Sequence, residues 1–359
     1  MRSIGRLLMV GALALFVASC SDDSNGKTDG PAKTDGPITQ PDTGPAPTEL
    51  VCNNDCADLV MSKITLPDTT TASKVGHDYD NDGTIDNALG AILGGLAQMA
   101  GGSLNIQEAL DKGVNKGSTI VLLRMQADDF ASDSSSKAQA WTGASTTCCS
   151  DPEDVTGCAT EAAGTCFGGS YTFYPDSESP KDAIFGGAIT GGKAVYGPSK
   201  LKFVLPFTGA GDLELNLQAV YLKGDVSSDG KSIKNGILAG AITQSDLNTK
   251  LIPTVKDMLN TTLNDATVDA QVKSIITSLF DADQDGTITE AEVKDSTIVK
   301  TFLGGDKDVD GDGTKELTLG VGFEAVSAVI DDKGTAPDQG VTPDAGPGDM
   351  AAGDAPAGD

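Results

Sequence analysis

The sequence is poor in histidine, aromatic residues and positive charge. Its 359 residues include one His and one Trp, and only 4% are aromatic. Because imidazole is a common general base and zinc ligand, a single His excludes most His-based catalysis and most zinc sites. The 25 Lys and Arg residues stand against 52 Asp and Glu, which gives a net charge of −27. This charge excludes a nucleic-acid binder that depends on a basic field, and it favours the binding of cations.

Residues 1–19 are predicted to be a secretory signal peptide. Two arginines precede an apolar run, 7–18, that is too short to span a bilayer. The run ends in Val-Ala-Ser-Cys at 17–20, which resembles the lipobox of bacterial lipoproteins. The resemblance implies cleavage before Cys20, acylation of its sulfur and anchoring in the cell envelope, with Ser21 favouring the outer membrane. An ordinary signal peptide that happens to end near a cysteine is the alternative.

Both ends of the mature chain are predicted to be disordered. Residues 20–49 and 332–359 are rich in Pro, Gly and Asp and poor in large apolar residues. Such segments cannot bury enough apolar surface to offset the entropy lost on ordering. The first would be a lipid-anchored linker. The folded part is expected between them, as a mixed region at 50–265 and a second region at 266–331 that closes on a strand.

The hydrophobic periodicity of the folded part is mixed. Apolar residues alternate with polar ones in several short segments and recur at helical spacing in others. We therefore predict an α+β fold with a β-rich central sheet flanked by helices. The predicted strands are 118–125, 201–205, 213–221, 237–242 and 317–323, and the predicted helices are 86–100, 247–263 and 268–280.

Six cysteines remain when Cys20 is set aside. An even number in an exported chain predicts disulfides, although six cysteines allow 15 pairings. Four of the six lie in 131–175, a segment poor in large aliphatic residues that we expect to be a surface excursion stapled by these bonds. A metal site is the competing interpretation, but no paired C-x-x-C is present and His77 is remote. The candidates are Cys52, Cys56, Cys148, Cys149, Cys158 and Cys166.

The segment 281–292, here called loop II, reads D-A-D-Q-D-G-T-I-T-E-A-E. Carboxylates or other oxygens fall at positions 1, 3, 5, 7, 9 and 12, with helical patterns on both sides. Loop II therefore resembles an EF-hand, over about 274–302, and the resemblance implies a Ca²⁺ site. A solvated acidic loop is the alternative. The predicted ligands are Asp281, Asp283, Asp285, Thr287 through its carbonyl, Thr289 and Glu292.

Two further segments, loop I at 78–86 and loop III at 308–316, share only the first half of that pattern. Both read D-x-D-x-D-G-x-x-[DE], and Leu89 and Leu319 stand where an EF-hand has its Glu. They resemble the calcium loops of dockerin-like and thrombospondin type 3-like repeats, which implies direct coordination by position 9. Asp306 is a further candidate for loop III. The predicted ligands are Asp78, Asp80, Asp82, Thr84 and Asp86, then Asp308, Asp310, Asp312, Thr314 and Glu316.

These features together resemble the surface lipoproteins of myxobacteria and related Gram-negative bacteria. Calcium is expected rather than magnesium, because the loops offer many flexible oxygens instead of a tight octahedron. We expect a calcium-stabilised binding or structural module, with a protein or glycan partner left open. An envelope hydrolase with structural calcium sites is the alternative, although no G-x-S-x-G, phosphate loop or His triad is present. A calcium switch is less favoured, because it would need a second full hand.

Overall fold

The computed structural model describes residues 50–336, except 54, 69, 100–105, 208–210, 298, 301–303 and 335. The predicted signal peptide, Cys20, the linker and most of the predicted C-terminal tail lie outside the described residues. The strands are β1 (Cys56–Thr65), β2 (Val121–Gln126), β3 (Ser132–Asp133), β4 (Lys137–Thr142), β5 (Thr172–Phe173), β6 (Ile184–Thr190), β7 (Lys193–Phe207), β8 (Gly211–Val226), β9 (Ser232–Ile242), β10 (Leu317–Ser327) and β11 (Val329–Ile330). The helices are α1 (Ala88–Met99), α2 (Ile106–Lys116), α3 (Val155–Gly164), α4 (Gln244–Asp246), α5 (Ile252–Asn264), α6 (Ala270–Phe280) and α7 (Glu290–Asp295).

The main sheet is closed. Its strands follow the order β3-β6-β4-β2-β1-β10-β9-β8-β7, and β6 also pairs with β7, so all but β3 form a ring of eight antiparallel strands. Strand β6 completes the ring by pairing Phe185 with Ala138 of β4 and Ala188 with Val195 of β7. The α+β prediction is confirmed in its coarse form, since the structure is β-rich and carries several helices. The central sheet is a closed barrel rather than a flat sheet, and closure removes the exposed edges that a flat sheet would have.

The strand and helix predictions agree with the structure in most segments. The predicted strands in the second half of the chain fall in β7 to β10, and the predicted helix at 268–280 corresponds to α6. The helix predicted at 247–263 is a π-helical turn, Leu247–Leu251, that continues into α5. Strand β1 and helix α2 were not predicted. Helix α2 contacts β1 and β7, which lie on opposite sides of the ring, and Leu110 on this helix is fully buried.

The six cysteines form three disulfides, as the even number predicted: Cys52–Cys56, Cys148–Cys166 and Cys149–Cys158. The segment 131–175 differs from the surface excursion that we expected. Strand β4 belongs to the closed sheet, and Trp141 packs in a second buried cluster with Cys148 and Cys166. The bonded cysteines supply part of the apolar volume that the segment lacks in large aliphatic residues.

The helices after β9 pack on the ring rather than forming a detached unit. Leu259 of α5, Ile276 of α6 and Val293 of α7 belong to the same hydrophobic cluster as Leu217 and Ile242 of the sheet. Loop II connects α6 to α7, loop I leads into α1, and loop III leads into β10. Each acidic loop therefore lies at a junction between a connecting segment and an element of the packed core.

Candidate metal centres

The three acidic loops share one backbone conformation. Positions are counted here from the first Asp of each loop. Positions 4 and 6 have positive φ in every loop: Asn81 57° and Gly83 86°, Gln284 59° and Gly286 86°, and Gly311 79° and Gly313 88°. Because positive φ is costly for residues with a Cβ, Gly at position 6 permits the sharp turn at little cost. Loops I and III, which have only half of the EF-hand pattern, therefore turn as loop II does.

The same hydrogen bonds orient the carboxylates in all three loops. The amide of position 6 donates to the carboxylate of position 1: Gly83 to Asp78 at 2.8 Å, Gly286 to Asp281 at 3.0 Å and Gly313 to Asp308 at 3.0 Å. The amide of position 7 donates to the carboxylate of position 5, at 2.7 Å in each case: Thr84 to Asp82, Thr287 to Asp285 and Thr314 to Asp312. These bonds use one oxygen of each carboxylate. In loop II the second oxygen of Asp281 stays available for a ligand. In loops I and III the second oxygen of position 1 also accepts an amide, from Asp82 to Asp78 at 3.1 Å and from Gly311 to Asp308 at 2.8 Å.

Three acidic residues converge in each loop. Within each set, one oxygen from every residue lies within 4.8 Å of the others, so each set could hold a metal ion. The sets are Asp78, Asp80 and Asp86 in loop I, Asp281, Asp283 and Asp285 in loop II, and Asp308, Asp310 and Glu316 in loop III. The predicted position-5 residues Asp82 and Asp312 are outside these sets, and their carboxylates accept the position-7 amides.

Position 9 in loops I and III takes the structural place that position 12 takes in loop II. The amide of position 2 donates to Asp86 at 2.8 Å in loop I and to Glu316 at 3.1 Å in loop III. In loop II the corresponding amide donates to Glu292 at 2.9 Å. Leu89 and Leu319, at position 12 of the shorter loops, are 3% and 0% exposed in the core. The acidic residue that folds back over the loop therefore comes three positions earlier in loops I and III than in loop II.

The remaining predicted ligands of loop II have structural partners. Thr289 is the N-cap of α7 and forms a capping box with Glu292, in which each side chain bonds the backbone of the other. Glu292 Oε2 accepts the Thr289 hydroxyl at 2.8 Å. The hydrogen bonds from Thr289 hold the pKa of Glu292 below its usual value. Glu292 therefore faces the loop as a carboxylate, without belonging to the three-residue set.

Asp306, the further candidate for loop III, has a different role. Its two oxygens accept the amide of Thr318 at 2.8 Å and the hydroxyl of Thr318 at 2.6 Å. Thr318 is fully buried at the start of β10. Both oxygens of Asp306 thus anchor the strand, and Asp306 lies outside the set that converges in loop III.

Loop II contains an unsatisfied buried oxygen. Asp281 is 4% exposed, and its Oδ1 has no hydrogen-bond partner among the described residues. A buried carboxylate oxygen without a partner is costly, because it has lost its water and gained nothing in return. This oxygen belongs to the side chain that converges with Asp283 and Asp285. The residues present therefore fit a hard metal ion, which would satisfy the oxygen directly.

A lysine from the start of loop III reaches into loop I. The ammonium of Lys307 bonds to Asp80 and lies 3.2 Å from Asp86 and 3.9 Å from Asp82. The hydrogen bond to Asp80 is the main cause that raises the pKa of Lys307. Loop I is thus partly neutralised by an internal cation. Loop III has no such contact among the described residues, and burial followed by its neighbouring carboxylates raises the pKa of Glu316.

Loops I and III are tied to one strand. Asn87, which follows loop I, accepts the amide of Gly320 in β10 at 2.8 Å and donates to the carbonyl of Gly320 at 3.0 Å. In addition, the amide of Ala88 donates to the Thr318 hydroxyl at 3.0 Å. A change in the conformation of either loop would therefore affect the same part of β10, around Thr318 and Gly320. Sequence reasoning missed Asn87 and Lys307, because neither carries a local pattern that specifies a partner more than 200 residues away.

His77, which directly precedes loop I, is half-buried. Its ring stacks on Tyr221 with centroids 3.6 Å apart and meets Tyr79 edge to face. Burial, and then the charge of Lys223, lowers the pKa of His77 to about 4. The ring is therefore a neutral packing group at the base of loop I, where the backbone of His77 bridges to Asp86.

No protein-family model matches the chain, and neither curated proteins nor solved structures give a match.

Proposed function

We propose that the protein is a calcium-binding lipoprotein of the cell envelope, in which Ca²⁺ stabilises a surface binding or structural module. The observation that carries the proposal is the buried, unpartnered Oδ1 of Asp281 beside the carboxylates of Asp283 and Asp285. The helix α6, loop II and the helix α7 then form an EF-hand, with Glu292 at position 12 as the acidic residue that closes over the loop.

Calcium fits the donor set better than a transition metal or magnesium does. The three sets contain only Asp and Glu, which offer hard oxygen ligands, and no Cys or His joins them. The three converging carboxylates of loop II each accept one backbone amide from within the loop, so they can adjust to the larger and less regular shell of Ca²⁺. Extracellular calcium modules bind with dissociation constants of about 10⁻⁴ to 10⁻³ M, so such sites would be filled outside the cell.

Bound ions would stabilise the junctions at which the loops lie. Because a metal ion that binds only the native state adds its binding free energy to folding, each filled loop would hold its connecting segment to the core. Filled sites in a calcium-rich compartment favour a structural role over signalling.

Calcium titration followed by calorimetry tests this proposal directly. Protein freed of metal with EGTA is expected to bind Ca²⁺ saturably and Mg²⁺ more weakly. The Asp281→Asn variant is expected to lose the binding that belongs to loop II, because it removes one charge from a converging set and leaves the shape of the side chain. Wild-type protein that binds no calcium at millimolar concentration would contradict the proposal.

The envelope location is supported by the disulfides. Three disulfides indicate a compartment outside the reducing cytoplasm. Among the helices of the described residues, none has the length and apolar character needed to cross a bilayer. Membrane attachment is therefore proposed to depend on acylation of Cys20, which the lipobox-like sequence before it would direct.

The Cys20→Ser variant is expected to move from the membrane fraction to the soluble fraction of cells. A serine cannot form the thioether to diacylglycerol, so the variant would lose the acyl chains that provide the proposed anchor. Fractionation followed by immunoblotting measures the shift, and labelled palmitate should enter the wild type but not Cys20→Ser. The Cys52→Ser variant, which keeps Cys20, is the matched control. A Cys20→Ser variant that stays in the membrane pellet would contradict the lipid anchor.

A further inference from the structure

A side chain of the neighbouring helix α5 holds the backbone of loop II at position 8. The amide of Ile288 donates to Asn260 Oδ1 at 2.8 Å, and Asn260 Nδ2 donates to the carbonyl of Ile288 at 2.7 Å. Asn260 is half-buried, and Ile288 is 1% exposed. One planar carboxamide therefore satisfies both backbone groups of one residue, as the peptide of a neighbouring β-strand would.

We propose that Asn260 is a positioning residue for the metal site in loop II. This inference rests on the proposed calcium function. Ile288 stands between Thr287, whose amide orients the carboxylate of Asp285, and Thr289, which caps the helix that carries Glu292. The two bonds to Asn260 thus fix the point in the chain that connects the first acidic half of the loop to its closing glutamate.

The helix that carries Asn260 is itself fixed to the closed sheet. Ahead of α5, the side chain of Asp246 accepts the amide of Asn216 in β8 at 2.8 Å. The helical segment from α4 to α5 also contacts loop III, because Gln244 donates its side-chain amide to the carbonyl of Lys315 at 2.8 Å. Lys315 is position 8 of loop III. One continuous helical segment therefore supports position 8 of two loops, with two hydrogen bonds at loop II and one at loop III.

The physical effect of Asn260 is preorganisation. Without its two bonds, the segment at Ile288 would be free to leave the binding conformation, and the ordering would have to occur when the ion binds. A site that is competent for only part of the time has its apparent affinity reduced by that fraction. Two neutral hydrogen bonds of ordinary strength correspond to a loss of roughly tenfold in calcium affinity at loop II.

The test compares calcium binding of Asn260→Leu and Asn260→Asp with that of Asn264→Leu. Asn260→Leu removes both bonds. Asn260→Asp keeps the size of the side chain but cannot donate to the carbonyl of Ile288. Asn264 lies one turn further along the same helix, is exposed, and bonds within the helix to the carbonyl of Asn260. Its replacement is therefore the matched control for effects on the helix alone.

Calorimetric titrations are made with each variant, alone and combined with Glu292→Gln. Asn260→Leu is expected to weaken loop II roughly tenfold. Asn260→Asp is expected to weaken it less, because it can still accept the amide of Ile288, whereas Asn264→Leu leaves the affinity within twofold of wild type. In the Glu292→Gln background, where loop II no longer binds tightly, Asn260→Leu should not weaken the remaining sites. A merely structural role would lower thermal midpoints equally in EGTA and in calcium, whereas positioning lowers the midpoint in calcium further.

The outcomes separate this inference from the function on which it rests. If the wild type binds calcium and the Asn260 variants bind it with the same affinity, the positioning role is overturned and the calcium function stands. The positioning role would also be overturned if Asn260→Leu weakened calcium binding as much in the Glu292→Gln background as in the wild type, because the effect would then not belong to loop II. Wild-type protein that binds no calcium would overturn both. Should Asn260→Leu fail to fold, the nearly isosteric Asn260→Asp is compared with the wild type and with Asn264→Leu in its place.

Discussion

Transfer of the wild-type protein from about 10 mM calcium to EGTA is expected to lower its thermal midpoint by about 5–10 °C for each site with a dissociation constant of about 10⁻⁴ M. An ion at about a hundred times its dissociation constant adds roughly 3 kcal/mol to the free energy of unfolding. For a domain of a few hundred residues, each kcal/mol corresponds to about 2–4 °C. Differential scanning calorimetry in the two buffers measures the shift.

Glu292→Gln is expected to remove the share of that shift that belongs to loop II. Glutamine can still bond the backbone of Thr289 as the third residue of the helix, so the capping box is retained while the charge is lost. The midpoint should therefore fall in calcium and stay nearly unchanged in EGTA. Asp86→Asn and Glu316→Gln should act in the same way on loops I and III, since these residues occupy the corresponding place.

Thr289→Ala provides the contrasting variant within the same loop. The hydroxyl of Thr289 caps α7, so its loss should cost about 1 kcal/mol in calcium and in EGTA alike. An acidic loop that binds no ion would behave differently again. Removing a carboxylate from it relieves repulsion and should raise the midpoint in both buffers. Equal wild-type midpoints with and without calcium would contradict the stabilising role of the metal.

The acidic loops were predictable because their geometry is local. The spacing of Asp residues and the Gly at position 6 lie within a few residues of each other, and the three loops turn alike. The substitution of position 9 for position 12 was also visible in the sequence, because Leu89 and Leu319 cannot act as ligands. Helices α1, α5 and α6 and strands β2 and β7 to β10 were predictable for the same reason, since their periodicity is a local property.

The features that the sequence did not reveal depend on long-range pairing. Closure of the sheet requires β6 to pair on both sides, and no local pattern specifies the second pairing. The sequence leaves 15 disulfide arrangements open, and one of the bonds that forms, Cys148–Cys166, depends on the cluster in which Ala162 of α3 packs with Leu122 and Trp141 of the sheet. Asn260 is an ordinary polar residue of an amphipathic helix until the fold brings Ile288 against it. Lys307 likewise adjoins loop III in sequence but makes its contacts in loop I.

Lys307→Met is expected to lower stability without calcium and to increase the stabilisation that calcium provides. In EGTA, its loss leaves the carboxylates of Asp80 and Asp86 without their cation, and Asp86 is buried. The midpoint in EGTA should therefore fall. In calcium, the ion no longer has to displace an ammonium that is attached to the same chain, so the affinity of loop I should rise roughly tenfold. The rise in thermal midpoint on adding calcium should thus be larger in the variant than in the wild type.

Lys315→Met is the matched control for Lys307→Met. It removes the same charge from an exposed position of loop III. The variant therefore reproduces the change in the long-range electrostatic field but keeps the Lys307 ammonium in loop I. Thermal midpoints and calorimetric titration should show a lower midpoint in EGTA together with a higher calcium affinity for Lys307→Met alone. A gain in calcium affinity shared by both variants would mean that net charge, and not the contact with Asp80 and Asp86, governs the site. Because the backbone of Lys307 pairs with Glu316 whatever its side chain, the base of loop III is retained in the variant, and the response can be assigned to loop I.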